Sequence, residues 1–468
     1  MSQVNQVKLG AKFIADTPHR QSHDRCLWAA RMRRDSVASH IPEWEEMREL
    51  ASQIKKHTLT HLDEYLEMFE RNLLANGVHV HWAETAEEHN RIVYEIFRTH
   101  GVKVVTKGKS MLMDECGMRE YLDERGIDVY EADLGERIQQ LDRQRPSHIV
   151  MPAIHKLRGD VARLFAEKLG SDPDIDDPTY LNSVMRRDMR KNYIKVDAGM
   201  NGVNFGIAET GGIVVCTNEG NADISANVPP LFVASMGIEK LIPRQSDLAL
   251  FIRLLSRSAL GLDITQYTSH YHGPREGQEM HLVIVDNGRS ERLCAPYWEV
   301  LKCIRCGACM NTCPVFRRTS GLSYDAPYMG PIGIILEPSY DLHRYARLPY
   351  SCTHCGSCGD VCPVKMPIPE YVFYWRDTIV NSGQDEMIHR LEEDGMELVL
   401  RSASSLSKAE KLGLWALRSL PQGLLKSGLN PWAKWHANPE PPAETFRQYY
   451  ARKRKEARKP DSNSQTPD

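Results

Sequence analysis

The chain has 468 residues, of which 41% are hydrophobic, and carries a formal net charge of −3. Such a length can bury two or three cores without disulfide staples, and the near-neutral charge excludes a bulk basic field for nucleic acid. No window holds the roughly eighteen apolar residues of a membrane span, and the polar start MSQVNQVKLGAKF does not resemble a signal peptide, so a cytoplasmic, reducing setting is expected.

Residues 1–76 read as a helical region. Within it, 43–76 predict one long amphipathic helix, with Trp44, Met47, Leu50, Ile54, Leu62, Leu66, Phe69 and Leu73 on one stripe and Gly77 as its stop. VHVHW (78–82) alternates like a strand, and TAEE (85–88) is a capping box opening a helix that Gly101 closes. Further strands are expected at VKVVT (102–106), IDVY (127–130), HIVM (148–151), GIVVCT (212–217) and HLVIVD (281–286). Strands alternating with helices predict a mostly parallel α/β sheet over 77–294. A cysteine-rich module follows at 295–375, in which SYDLHRYARL (339–348) reads as a short helix. Residues 376–450 are expected to be helical, with Trp415, Trp432 and Trp435, and 451–468 form a basic then polar tail expected to be disordered.

Eight of the 12 cysteines fall in two windows, CIRCGACMNTCP (303–314) and CTHCGSCGDVCP (352–363). A Cys-x₂-Cys-x₂-Cys-x₃-Cys-Pro run is the bacterial ferredoxin pattern, in which three thiolates hold one [4Fe–4S] cube and the fourth reaches the other. Zinc sites bring paired cysteines with a longer gap between the pairs and fit less well. On the crossed scheme Cys303, Cys306, Cys309 and Cys362 hold one cluster, and Cys352, Cys355, Cys358 and Cys313 the other. Gly307 and Gly356 allow close approach of the backbone to the sulfides, and Pro314 and Pro363 turn the chain away after the fourth ligand. The insert between the runs is longer than in the smallest ferredoxins, which points to the helical dicluster module of larger oxidoreductases. Cys26, Cys116, Cys216 and Cys294 read as small hydrophobes.

DAGMNGVNFGIAETGGIVVCTNEGN (197–221) surrounds a strand with six glycines and places Glu209, Asn218, Glu219 and Asn221 at its flanks. Glu209 and Asn218 are the candidates for ligand or acid–base work, beside the alternative of tight turns with solvated polar residues. Lys107 and Lys109 in TKGKSM could meet an anion but read rather as surface lysines. GKS (108–110) is not a phosphate loop, because Lys103 stands where the first glycine belongs, and HTLTH (57–61) carries Thr58 in place of a zinc-protease glutamate. No G-x-G-x-x-G follows a strand, so a flavin or nicotinamide site has no support.

VVTKGKSMLMDE, DLGERIQQLDRQRPSHIVMPAIHK, GVNFGIAETGGIVVCTNEGN and HLVIVDNGR resemble the lactate-utilisation (LUD) domain. With the two cysteine runs and the helical C-terminal region, residues 20–450 resemble the iron–sulfur component of the three-component bacterial L-lactate utilisation system. The resemblance implies an α/β domain of the sugar-phosphate isomerase and CoA-transferase type, followed by a helical dicluster module with two [4Fe–4S] clusters and a helical C-terminal region. It further implies an electron-transfer role in oxidising lactate to pyruvate, with a cysteine-rich subunit, a lone-LUD subunit and an electron acceptor as partners. Another 2-hydroxyacid oxidase, of glycolate type, and a metabolite-binding redox sensor are the other readings. Two full ligand sets favour a relay over a sensor.

Overall fold

A computed structural model describes residues 3–384, 387–426, 437 and 439–457. Met1–Gln384 form one compact unit and Asp385–Asp468 a second.

Ten strands organise the first unit: β1 (His79–Ala83), β2 (Val104–Lys107), β3 (Asp128–Glu131), β4 (Ala198–Gly202), β5 (Phe205–Ile207), β6 (Gly212–Thr217), β7 (Leu231–Gly237), β8 (Leu241–Ile242), β9 (Tyr267–Tyr271) and β10 (Glu279–Val285). Six of them make a sheet in the order β1-β10-β7-β4-β2-β3, parallel at every pairing. All seven residues of β7 are buried, as expected of a strand covered on both faces by helices. From β2 the chain steps outward to β3, then crosses to the other side of β2 to lay down β4. Ligands of open α/β sheets sit beyond the carboxyl ends of the strands at such a reversal.

The second sheet, β8-β5-β6-β9, has no counterpart in the sequence-based expectation; β6 lies between β5 and β9 and is antiparallel to both. Gly211, in the β5–β6 turn, has φ +67°, and a Cβ there would lie 2.6 Å from the backbone of Asn72 and Leu73. Only glycine lets the hairpin press on that helix.

Other expectations need correction. The predicted helix over 43–76 is two helices, Trp44–Thr60 and Leu62–Ala75. At the break the Thr60 hydroxyl bonds the carbonyls of Lys56 and His57, and His61 Nδ1 also bonds the carbonyl of His57, so side chains compete with the backbone ladder. Leu50, placed on the apolar stripe, is half exposed. HIVM (148–151) is not a strand: the N–H groups of Val150 and Met151 both donate to His148 Nδ1, which curls the segment. Only half of the expected capping box forms: Thr85 accepts the N–H of Glu88, but Glu88 reaches past the N-cap to accept that of Glu84.

The N-terminal helices, the smaller sheet and the cysteine loops share one apolar core, in which Leu27, Phe205, Ile304 and Trp375 all take part. In the second unit, helices cover Met387–Leu400, Ala403–Ser419, Gln422–Leu425 and Phe446–Glu456. The basic segment expected to be disordered is thus helical up to Glu456. Its continuation at 458–468, and Trp432 and Trp435, lie outside the described residues, while Trp415 is exposed. No helix among the described residues is long and apolar enough to cross a membrane.

Candidate functional site

Each cysteine run folds as a tight loop entering a short helix, Ala308–Thr312 after the first and Ser357–Asp360 after the second. The two loops repeat one backbone shape. Arg305 and His354, each directly before the second cysteine, have φ +59° and +53°, and Gly307 and Gly356, directly after it, have φ +77° and +79°. Two left-handed residues around one cysteine turn successive thiols inward, and at the second of them glycine carries no steric cost. Pro314 opens helix Pro314–Thr319 at its first turn, where its missing N–H matters least.

The thiols gather in two small pockets. Cys303, Cys306, Cys309 and Cys362 line one, between Ile149, Ile332, Val364 and Met366. Cys313, Cys352, Cys355 and Cys358 line the other, between Val315, Tyr324 and Ile334. Ile368 forms part of both walls. Amide N–H groups donate to sulfur: Arg305 to Cys303 at 3.4 Å, His354 to Cys352 at 3.3 Å and Met366 to Cys362 at 3.4 Å. A set of thiols with N–H donors and apolar walls suits an iron–sulfur cluster, whose anionic charge such donors offset. Arginines from neighbouring helices brace the loops. Arg48 donates to the carbonyl of Cys362 at 2.8 Å, Arg376 to that of Cys352 at 2.8 Å, and Arg31 to the hydroxyls of Thr312 and Ser357.

Beside the first pocket lies a chamber of about 250 Å³, and Arg305 and Cys306 line both. Its other walls come from the carboxyl ends of the parallel strands: Gly108 and Lys109 after β2, Asn201 and Gly202 on β4, Ser235 and Gly237 on β7, and Arg289 beyond β10. Asn218, Glu219 and Asn221 follow β6 and complete the wall on the side of the smaller sheet.

Arg289 is the electrostatic centre of the floor. Its Nε donates to Glu239 Oε2 at 2.7 Å, and its Nη1 and Nη2 donate to the two oxygens of Glu115 at 3.0 and 2.9 Å. Burial opposes the charge on Glu239, but Arg289 and Lys240 outweigh it and pull its carboxyl down to about 2. Tyr328 donates its hydroxyl to Glu115 at 2.5 Å, and the Arg305 guanidinium stacks on its ring at 4.3 Å. A Cβ on Gly237 would lie 2.1 Å from Glu239 Oε2, so the bare backbone makes room for the pair.

The lysines are not surface residues. Lys107 is fully buried, with Glu131, Asp114 and Glu136 at 3.0, 3.3 and 3.4 Å from its Nζ. Burial opposes its charge, yet the three carboxylates outweigh it and hold the ammonium well above the ordinary lysine range. Lys109 is partly buried, facing Asp133 at 3.5 Å and donating to the carbonyl of Val150 at 3.1 Å. The apolar β-strand ahead of them explains the difference: Lys107 is the last residue of β2 and takes that strand's burial.

Glu209 and Asn218 are not brought together. Asn218 borders the chamber, whereas Glu209 stands at the opposite end of β6, exposed, and accepts the N–H of Gln245 at 2.8 Å. Arg289, Glu239, Asn201 and Arg305 were missed. Arg305 was legible in principle, as the charged residue inside CIRC; the rest are ordinary residues until the sheet brings its strand ends together.

The family of the 4Fe-4S dicluster domain matches residues 299–366, and that of the LUD domain residues 66–293. Lactate utilization protein B of Bacillus cytotoxicus is 38% identical over 433 residues, covering 90% of this chain and 91% of that protein. This chain belongs to the lactate utilization protein B family. Its relatives of that name from Bacillus cereus and Bacillus thuringiensis are each 37% identical over 428 residues, covering 88% of this chain and 90% of theirs. The matched LUD range takes in all ten strands, and the dicluster range all eight cysteines of the two pockets.

Proposed function

We propose that this chain is the iron–sulfur electron-transfer subunit of an L-lactate-oxidising system, holding two [4Fe–4S] clusters. Cys303, Cys306, Cys309 and Cys362 would hold one, and Cys313, Cys352, Cys355 and Cys358 the other. When bound, each cluster takes up and releases a single electron, so two match the pair removed when a 2-hydroxy acid becomes a 2-oxo acid. The observation that carries this reading is the wall shared by the chamber and the first pocket, at Arg305 and Cys306.

The chain's own residues supply positioning and shielding. Ile149, Ile332 and Met366 keep water from the first set of thiols, and Arg31 and Arg48 place positive charge behind both loops. Cys355 is the exposed member of the second set, so that pocket is the one nearest an outside acceptor. With no flavin or nicotinamide fingerprint in the sequence, turnover requires the cysteine-rich and lone-LUD partner subunits, in the cytoplasm. A strain lacking this chain should fail to grow on L-lactate as sole carbon source while growing on pyruvate. Growth on lactate, with loss of growth on glycolate instead, would move the assignment to the glycolate-type oxidase.

A further inference from the structure

Four cations line the chamber: Lys109, Lys240, Arg289 and Arg305. Three already face a carboxylate, Lys109 that of Asp133 at 3.5 Å, Lys240 that of Glu239 at 4.0 Å and Arg289 those of Glu115 and Glu239. Arg305 makes no ion pair among the described residues, although the charge of Glu239 reaches it, and its buried Nη1 has no hydrogen-bond partner. A guanidinium left with a free N–H in a cavity is a ready partner for a carboxylate, which it binds as a planar fork.

The chamber also holds two unpartnered acceptors. Asn201 is 1% exposed and Asn221 6% exposed, and the Oδ1 of each lacks a donor. The orientation of Asn201 is fixed, because its Nδ2 donates to the carbonyl of Ala222 at 2.9 Å. Its Oδ1 lies where a Cβ on Gly108 would be, 2.1 Å away, so glycine leaves that oxygen its place. A buried acceptor without a donor costs stability until a ligand supplies one.

We propose that the chamber is a binding site for a small 2-hydroxycarboxylate, with Arg305 as the anchor of its carboxylate and the side-chain oxygen of Asn221 as the acceptor of its one hydroxyl hydrogen. The comparison between the two cysteine loops supports the role of Arg305. His354 occupies the same left-handed position in the second loop but stacks on the exposed ring of Phe373 at 4.1 Å and lines no part of the chamber. The backbone shape belongs to both loops; the cation belongs to the loop that faces the chamber. Free acceptors discriminate by the hydrogen they lack, so the site prefers a hydroxy acid to its oxo or deoxy counterpart. This inference rests on the electron-transfer reading only for the choice of lactate as first probe.

The test is anaerobic calorimetric titration of the cluster-loaded full chain with L-lactate, pyruvate and propionate, with iron content and the EPR spectrum of the reduced protein as controls. L-lactate should bind at least ten-fold more tightly than propionate or pyruvate. Arg305→Gln should weaken L-lactate at least ten-fold with iron content unchanged, and Arg305→Lys should recover part of the loss. Asn221→Ala should weaken L-lactate and leave propionate unaltered, which keeps the test sharp if Arg305→Gln disturbs the neighbouring loop. Wild-type binding in Arg305→Gln, or no carboxylate bound by the loaded wild type, overturns the proposal and leaves the growth test of the electron-transfer reading standing. If a longer 2-hydroxy acid binds through Arg305 and L-lactate does not, the anchor stands and the lactate assignment falls.

Discussion

The eight pocket cysteines lie within residues 303–362, whereas the polar walls of the chamber come from residues 109, 201, 221, 239, 289 and 305. The difference follows from what each has to hold. A cluster of fixed size is wrapped by one loop, so its ligands fall at set intervals along the chain. A chamber at the carboxyl edge of a parallel sheet takes one or two residues from each strand end, and a whole helix separates one strand end from the next. The first is written locally and the second only in the fold.

The sharpest way to break the comparison is to cut a ligand that is remote in sequence from its set. Cys362→Ser removes the one thiol that the second run lends to the first pocket. About half of the roughly eight irons should be lost, and the EPR spectrum of the remainder should match that of Cys303→Ser, not that of Cys352→Ser. A spectrum matching Cys352→Ser would mean that each run keeps its own fourth ligand.

The next largest effect concerns the carboxyl end of β2. Lys107→Met leaves Asp114, Glu131 and Glu136 without their shared cation in a buried place. Removing one partner of a buried ionic group costs about 3–5 kcal/mol, which chemical denaturation at neutral pH would read directly. A loss below about 1 kcal/mol would return Lys107 to the surface role its sequence context suggested.

What the sequence showed follows the same division. The apolar runs of β6 and β10 and the N-cap at Thr85 were legible because period and cap chemistry are local. The break at His61, the curl at His148 and the burial of Lys107 were not, because each depends on a side chain choosing a backbone or carboxylate partner that periodicity does not describe. The two-residue β8 is too short for any pattern. In the site, the grouping of the cysteines into two pockets was legible from their spacing, Asn218 was read as a flank of the right strand, and Arg289 and Glu239 became visible only as an ion pair.

A pH titration sharpens the contrast between the cysteine pockets and the regions held by packing. His89 is fully buried behind the chamber, with Nε2 on the Ser235 hydroxyl at 2.8 Å and Nδ1 on Asn90 Oδ1 at 3.1 Å. Burial pulls its pKa down to about 4 from an ordinary 6.5. Below 6.5 the unfolded chain takes up a proton that the native state refuses until about 4. The stability from neutral His89 is therefore whole above pH 6.5 and declines as pH falls through that window, by about 3 kcal/mol in total. His89→Gln should flatten the fall of Tm between pH 6.5 and 4. An unchanged slope would place the acid sensitivity at other groups.

The smallest expected effect separates the two ends of β6. Glu209 sits in the turn before the strand and Asn218 just after it, and only Asn218 reaches the chamber. The carboxylate of Glu209 accepts the N–H of Gln245, the first residue of helix Gln245–Leu260. A helix start leaves such donors without intrahelical partners, and an acidic group beside it also favours the dipole. Glu209→Ala should cost about 0.5–1 kcal/mol of stability, the usual value of a lost cap, and change lactate turnover of the assembled system less than about two-fold, since an exposed surface change remote from the site rarely does more. Asn218→Ala should do the reverse, with Tm held and the apparent KM for lactate raised, because its side chain borders the chamber proposed to bind the hydroxy acid. If Glu209→Ala abolishes turnover at unchanged Tm and iron content, acid–base work lies at that end of β6, and the chamber is not where the substrate reacts.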